Sequence, residues 1–264
     1  MATMSLTILQ LSDLHILAQP QDTLRGISTE NYFHRILSHA MQQPIGYDYV
    51  LLSGDLAQVP CLASYQRILT KLDDYSLEGV CLNGNHDDYA LMQTVFNRNI
   101  HCKKQICFEK WQMIVLNSQI IGSEKGNLAR EELNFLEICL QEKPNLFALI
   151  AMHHHCMPTH SEWLDTMQIA NSTEFLEIVS KYPNAKVITT GHIHQEMDRQ
   201  IGELRILGTP STCYQFRVNS SQFALDKTPP GYRILKLFED GRVESGIHRL
   251  ETPLHELELE APQY

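Results

Sequence analysis

Five short stretches of this chain that read as strands each end in a carboxylate, a carboxamide or a histidine, and this repetition constrains the fold more than any other feature. Residues 6–11 run into Ser12-Asp13-Leu14-His15, and 49–52 into Ser53-Gly54-Asp55. Residues 79–82 run into Asn83-Gly84-Asn85-His86-Asp87, 146–152 into His153-His154-His155, and 185–190 into Gly191-His192-Ile193-His194. Between them lie helical periodicities. Residues 30–42 place Phe33, Ile36, Leu37, Ala40 and Met41 on one face, and 61–74 do the same with Leu62, Tyr65, Ile68, Leu69 and Leu72. Residues 88–98, 130–142 and 173–181 also read as helices, and 108–116 as one or two strands.

Towards the C-terminus the pattern changes. Residues 205–208 and 232–238 read as strands, and Glu239-Asp240-Gly241-Arg242 as a hairpin turn. Strand–helix alternation followed by antiparallel strands predicts an α/β layered architecture completed by a C-terminal β segment. The chain shows no repeat, low-complexity tract or linker rich in Pro, Gly and Ser. Residues 1–264 are therefore expected to form one domain, with a motif-bearing core at 6–194 and C-terminal strands within 205–250.

Composition removes several function classes. With 21 Lys+Arg against 31 Asp+Glu the net charge is −10, the wrong sign for a general binder of nucleic acid backbone. The longest unbroken apolar run, 146–152, has seven residues, where about 20 are needed to span a bilayer. The N-terminus lacks a basic region leading into an apolar stretch, so no secretory signal is expected. Seven cysteines without a C-x-x-C fit free thiols in a reducing cytoplasm.

Ligands of open α/β sheets bind beyond the carboxyl ends of the strands. A single D-x-H or G-D there is usually a solvated turn, and a lone H-x-H is a weak metal signal. Five such ends aimed into one crevice are different, because they gather three carboxylates and at least four imidazoles. Burying these without partners costs several kcal/mol per group, by rough estimate, and metal ions are the natural partners. The donors are Asp, His and Asn without Cys, which suits Zn, Mn or Fe rather than thiolate-bound zinc. They are too many for one tetrahedral ion and enough for two that share a carboxylate.

In this order, D-x-H, G-D, G-N-H-D, a His run and G-H-x-H resemble the calcineurin-like metallophosphoesterase superfamily across 13–194. The wording around them is similar to the bacterial class III 3′,5′-cyclic AMP phosphodiesterases. The passages concerned are Gly54-Asp55-Leu56-Ala57-Gln58, the run from His153 to Ser161-Glu162-Trp163-Leu164-Asp165, Gly191-His192-Ile193-His194-Gln195-Glu196, and Thr209-Pro210-Ser211-Thr212-Cys213. The resemblance implies a four-layer αββα sandwich with two divalent ions (Fe, Mn or Zn) at the C-terminal edge of the sheet. It puts Asp13, His15 and His194 on one ion, Asn85, His153 and His192 on the other, and Asp55 between them. His86 would assist the leaving oxygen, as an imidazole beside a ligand can near neutral pH. Substrate contacts would come from His15, Asp55, Asn85, His86, His153 and His194.

The implied reaction converts 3′,5′-cyclic AMP to 5′-AMP through a hydroxide held by two metals, with neither nucleic acid nor membrane as partner. Another phosphodiester (a 2′,3′-cyclic nucleotide, a glycerophosphodiester or a dinucleoside polyphosphate) is the alternative substrate, and a metal-free scaffold the alternative class. C-terminal edge strands could pair in a homo-oligomer. The fourth block departs from the wider superfamily, with three histidines before Cys156-Met157-Pro158; His153 is aligned as the ligand because it directly follows the strand. His154 and His155 could lie behind the ligands or face substrate, and Cys156 reads as a packed thiol. Segments 156–168 and 209–217 are expected to wall the nucleoside pocket, with Phe216 and Arg217 as contacts and His160 at its border. His34, His39, His101, His248 and His255 read as surface or capping residues.

Overall fold

The computed structural model describes residues 5–260. Helix α1 (Thr29–Gln42) starts where the Ser28 side chain accepts from the Asn31 amide and Glu30 stands in the first turn, both favourable at a helix N-terminus. Tyr32, Phe33, Ile36, Leu37 and Ala40 are its buried face. Helix α2 (Leu62–Asp73) buries Tyr65, Ile68 and Leu72. Leu62, expected inward from periodicity, is instead 49% exposed at the first position of the helix. Helix α3 (Tyr89–Val95) is shorter than 88–98: Asp88 caps it through the Leu91 amide, and Phe96 has already left helical geometry. Further along come α4 (Arg130–Glu142), α5 (Glu162–Asp165) and α6 (Ser172–Ser180).

The strands form two six-stranded sheets. In the first, β1 (Ser5–Leu11), β2 (Tyr49–Ser53), β3 (Gly79–Leu82) and β4 (Ile100–His101) run parallel, and β13 (Gly231–Phe238) and β14 (Val243–Arg249) extend it antiparallel beyond β1. The second contains β5 (Gln105–Cys107), β6 (Trp111–Val115), β7 (Phe147–Met152), β8 (Ala185–Thr190), β9 (Met197–Ile201) and β10 (Leu204–Gly208), in the spatial order β5-β6-β7-β8-β10-β9. A small pair, β11 (Gln215–Phe216) and β12 (Leu225–Asp226), stands apart. Periodicity does not reveal β9, since four of its five residues are exposed on a sheet edge and no apolar alternation marks them.

Successive side chains of a strand point to opposite faces. Ile8, Leu51, Val80 and Leu235 of the first sheet therefore meet Met113, Leu149, Val187 and Leu207 of the second in one buried layer. Their neighbours Leu9, Val50, Leu52 and Cys81 turn to the core that includes the helices. With both faces covered, the strands read as near-continuous apolar runs. The result is four layers, helices–sheet–sheet–helices, with α2 packed on α3 and α4 on α6.

Polar ties cross between the sheets. Trp111 Nε1 donates to the Phe238 carbonyl (2.8 Å), and Arg233, buried on β13, donates to the carbonyls of Met197 and Gly208. Beneath the strand ends, Gln10 accepts from Thr189 Oγ1 (2.6 Å) and donates to Ser53 Oγ (2.9 Å). Buried polar groups need such partners, and here they also fix how the ends of one sheet meet those of the other. Among the described residues no helix is long and apolar enough to cross a membrane.

Candidate dimetal site

The five polar strand ends divide between the sheets, three following β1, β2 and β3 and two following β7 and β8. The crevice therefore runs between the ends of two sheets rather than along one. Backbone bonds lace it together: Asp13 N to Gly54 O (3.0 Å), His15 N to Asp55 O (2.9 Å), and Gly191 N to His153 O (3.1 Å). The Asp13 carboxylate accepts from His192 N at 3.1 Å, and Asp55 Oδ1 accepts from His86 N at 2.9 Å.

Nine non-glycine residues among those described have positive φ, and five of them lie here: Asp13 (53°), His15 (48°), Asp55 (51°), His192 (65°) and His194 (45°). Such backbone costs on the order of 1–3 kcal/mol per residue and persists only where the surroundings over-determine it. Concentrated at strand ends, it turns each side chain inward. Glycine is required beside them. Gly54 has φ +92°, and a Cβ there would collide with the His153 ring.

Two donor groups result. In the first, His194 Nε2 lies 3.4 Å from Asp13 Oδ1 and 3.2 Å from His15 Nε2. In the second, His153 Nε2 lies 3.2 Å from Asn85 Oδ1 and 3.3 Å from Asp55 Oδ2. The ligand-type atoms of Asp13, His15 and His194 lie within 4.8 Å of one another, as do those of Asp55, His153 and His192. Asp55 connects the groups, standing 3.8 Å from His15 Nε2 as well. It also forms a cluster with His15 and His86.

The side chains present fit metal ions. His194 Nδ1 donates to the Tyr214 carbonyl (2.8 Å) and His153 Nδ1 to that of Ser53 (2.9 Å), which leaves Nε2 of each ring as the nitrogen directed at the other donors. This is the outer arrangement that orients metal-binding imidazoles. His192 Nε2 is buried with no hydrogen-bond partner. Burial, then the neighbouring His154 and His153 rings, holds His192 well below the ordinary histidine value, which keeps it in the neutral, ligating form. Burial also works against a charged His153, but the Asp55 carboxylate prevails and raises it to about 9. The space between those two residues draws positive charge.

Above this floor is a partly open cavity. His15, Asp55, Asn85, His86, His192 and His194 line its base, and Trp163, Leu164, Met167, Phe216 and Glu124 its walls. Phe216 stacks on His194, with centroids 4.3 Å apart, and meets Trp163 edge-on at 5.0 Å. His86 Nδ1 donates to the Gln58 carbonyl at 3.0 Å. The structure thus brings His15, Asp55, Asn85, His86, His192 and His194 to one cavity, with Asp13 and His153 outside its lining but in contact with His194 and with Asp55 and Asn85.

The neighbouring residues are arranged differently. His154 bonds Ser118 through Nδ1 (2.8 Å), and His155 lies 3.8 Å from Asp165. Cys156 is buried, with its thiol pushed up to about 12 by burial. Arg217 is exposed and stands outside the cavity lining, as is His160. Of the remaining histidines, His39 and His101 are half-buried partners of Tyr232 and Tyr49 rather than surface groups.

Sequence reasoning missed the support. Asp87 accepts from the amides of Gly84, Leu56 and Ala57 and from the Tyr65 hydroxyl, fastening the Asp55 loop to the Asn85 loop. Its place in G-N-H-D was the available signal. The carbonyls of Ser53, Tyr214 and Gln58 have no signature, since every residue carries one. Glu124 sits on a loop that no motif marks.

Fold and site together define a two-metal phosphoesterase. The sequence profile described as calcineurin-like phosphoesterase matches residues 6–196, and the chain belongs to that family. It is 33% identical, over 98% of its length and 96% of the relative's, to the 3′,5′-cyclic adenosine monophosphate phosphodiesterase CpdA of Pseudomonas aeruginosa. The protein of the same description from Escherichia coli strain K12 is 35% identical over 92% of this chain and 89% of that one. Among solved structures, a dimetal phosphatase from Danio rerio superposes with a TM-score of 0.61 at 12% identity, covering 92% of this chain and 98% of that one.

Proposed function

We propose that this protein hydrolyses 3′,5′-cyclic AMP to 5′-AMP. The observation that carries the reading is the pair of donor sets meeting at Asp55 on the floor of an aromatic-walled cavity. The names of the two bacterial relatives supply the substrate. Asp13, His15 and His194 would hold one divalent ion and Asn85, His153 and His192 the other, with Asp55 facing both sets. The nitrogen and oxygen donors, without thiolate, suit Fe, Mn or Zn. Bound there, the two ions supply charge neutralisation at the phosphoryl group and an acidified water as nucleophile.

The chain's own groups do the remainder. Trp163 and Phe216 offer apolar faces to the nucleoside. Donation from Nδ1 to Gln58 fixes the His86 ring, so Nε2 is the nitrogen that hydrogen-bonds the phosphoryl oxygen. As the P–O3′ bond breaks, a proton at Nε2 passes to O3′. His15, Asp55, Asn85, His153 and His194 flank the same phosphate position. Residues 1–264 act as one catalytic domain, a reading supported by a core that takes in buried residues from Leu9 to Leu257. The cytoplasm is the proposed compartment, supported by seven free cysteines.

The test is steady-state hydrolysis by metal-reconstituted protein. 3′,5′-cyclic AMP is compared with 2′,3′-cyclic AMP, a glycerophosphodiester and an aryl phosphodiester, with Asp55→Ala as blank. The highest kcat/KM on 3′,5′-cyclic AMP, with 5′-AMP as product, is expected. Turnover of the aryl diester alone would leave the phosphoesterase chemistry standing and overturn the substrate.

A further inference from the structure

Away from the dimetal site, two thiols face each other. Cys81 Sγ on β3 lies 3.4 Å from Cys102 Sγ, just past β4. The parallel register pairs Gly79 with Ile100 and Val80 with His101, so 81 and 102 are the next pair across the same ladder. Both thiols line a second, partly open cavity, shared with Asn83, Tyr89, Lys104 and Asn117. Cys81 is 1% exposed, whereas Cys102 is half-buried.

We propose that Cys81 and Cys102 form an oxidisable pair that a hydroperoxide closes into a β3–β4 disulfide, and that closure lowers turnover at the dimetal site. The sulfurs need to approach by about 1.4 Å to reach bonding distance, a movement that adjacent strands and side-chain rotation can supply. Cys102, the more exposed of the two, attacks the peroxide as thiolate. The O–O bond breaks, an alcohol or water departs with the thiol's proton, and Cys102 becomes the sulfenic acid. Cys81 then attacks that sulfur, and its proton leaves with the displaced hydroxide as water. Two thiols are oxidised by two electrons and one peroxide is reduced.

The pair sits at the root of the loop carrying Asn85 and His86. Asn83, two residues beyond Cys81, donates through its amide to Asn117 Oδ1 and Gln119 Oε1, each at 3.0 Å. Gln119 in turn donates to the carbonyls of Asp87 (2.7 Å) and Asn85 (3.4 Å). Drawing β3 towards the segment after β4 shifts the first member of this chain of bonds.

The full-length, manganese-loaded protein is treated with hydrogen peroxide and mapped by non-reducing peptide mass spectrometry, with an aryl phosphodiester as the activity probe. A peptide linking Cys81 to Cys102, two hydrogens lighter than the separate thiols and released by dithiothreitol, is expected. Turnover should fall in step with linkage and recover on reduction. Cys102→Ala and Cys81→Ala, which cannot link, should keep their turnover under the same treatment. Oxidation confined to exposed Cys107, or Cys102 passing to sulfinic acid without linkage, would overturn the disulfide. Linkage with unchanged turnover, or equal losses in both alanine variants, would overturn the coupling.

Discussion

His153 Nε2, at the end of β7, lies 3.3 Å from Asp55 Oδ2, at the end of β2. The two residues come from different sheets, so this contact is where the halves of the site join. Asp55 also faces His15, which makes it the carboxylate both donor groups share. Outer partners of metal ligands are worth about 10–100-fold in affinity or activity, so Asp55→Ala should lower turnover by more than about 100-fold. Metal analysis of the purified variant should find fewer than two ions per chain. Two retained ions would remove Asp55 from the shared position.

His86 is held by Gln58 and lines the cavity base. His86→Ala should cut kcat by about 10²–10⁴, the usual range for a general acid, with metal content at the wild-type level. A variant that loses metal instead would place His86 among the ligands, as its cluster with His15 and Asp55 permits.

Asp87 tests the support behind the ligands. Asp87→Ala leaves three backbone amides and a hydroxyl in a buried place without their acceptor. Each unsatisfied group costs about 1–3 kcal/mol, so destabilisation on the order of 3 kcal/mol or more is expected in urea unfolding. Tyr65→Phe removes one of those bonds and should cost about 1 kcal/mol. Equal effects from the two variants would contradict the bracing role.

Chelation should destabilise the fold, because five residues in left-handed backbone and a set of buried donors face one another at the site. With free metal at about 100 times its Kd, binding adds about 2.7 kcal/mol. Calorimetry with chelator should therefore give a lower Tm, restored by Mn or Zn. An unchanged Tm would mean that the donor sets hold no metal.

At the edge of the second sheet, hydrogen bonding to Arg205 holds the Asp198 carboxyl below its ordinary value of 3.8. A carboxylate depressed in the folded state stabilises above its unfolded pKa, and that contribution is lost as pH falls through the folded value. Wild type should therefore exceed Asp198→Asn in Tm at pH above 3.8, and the two should converge in more acidic buffer. The difference will be small, since the pair is partly exposed and screened. Parallel Tm–pH curves without convergence would refute it.

The apolar runs of β1, β2, β3, β7 and β8, the polar turns after them and the face of α1 were legible in the sequence. Each is written locally, as a period of two or 3.6 or as a residue type following a strand. The dead ends were non-local. Leu62 sits on the correct periodicity yet is exposed, because cover depends on what lies beyond the helix. Four of five β9 residues face solvent, leaving no pattern to read.

By itself the sequence determined the donor chemistry: which residues can bind metal, that sulfur is absent from them, and that they follow strands. Tertiary structure alone decided that the strand ends belong to two sheets, that Asp55 meets His153 across them, and which nitrogen of the His86, His153 and His194 rings faces inward. That last choice is made by the carbonyls of Ser53, Tyr214 and Gln58. A carbonyl acquires a role only from where the chain places it, so no reading of residue types could have assigned one.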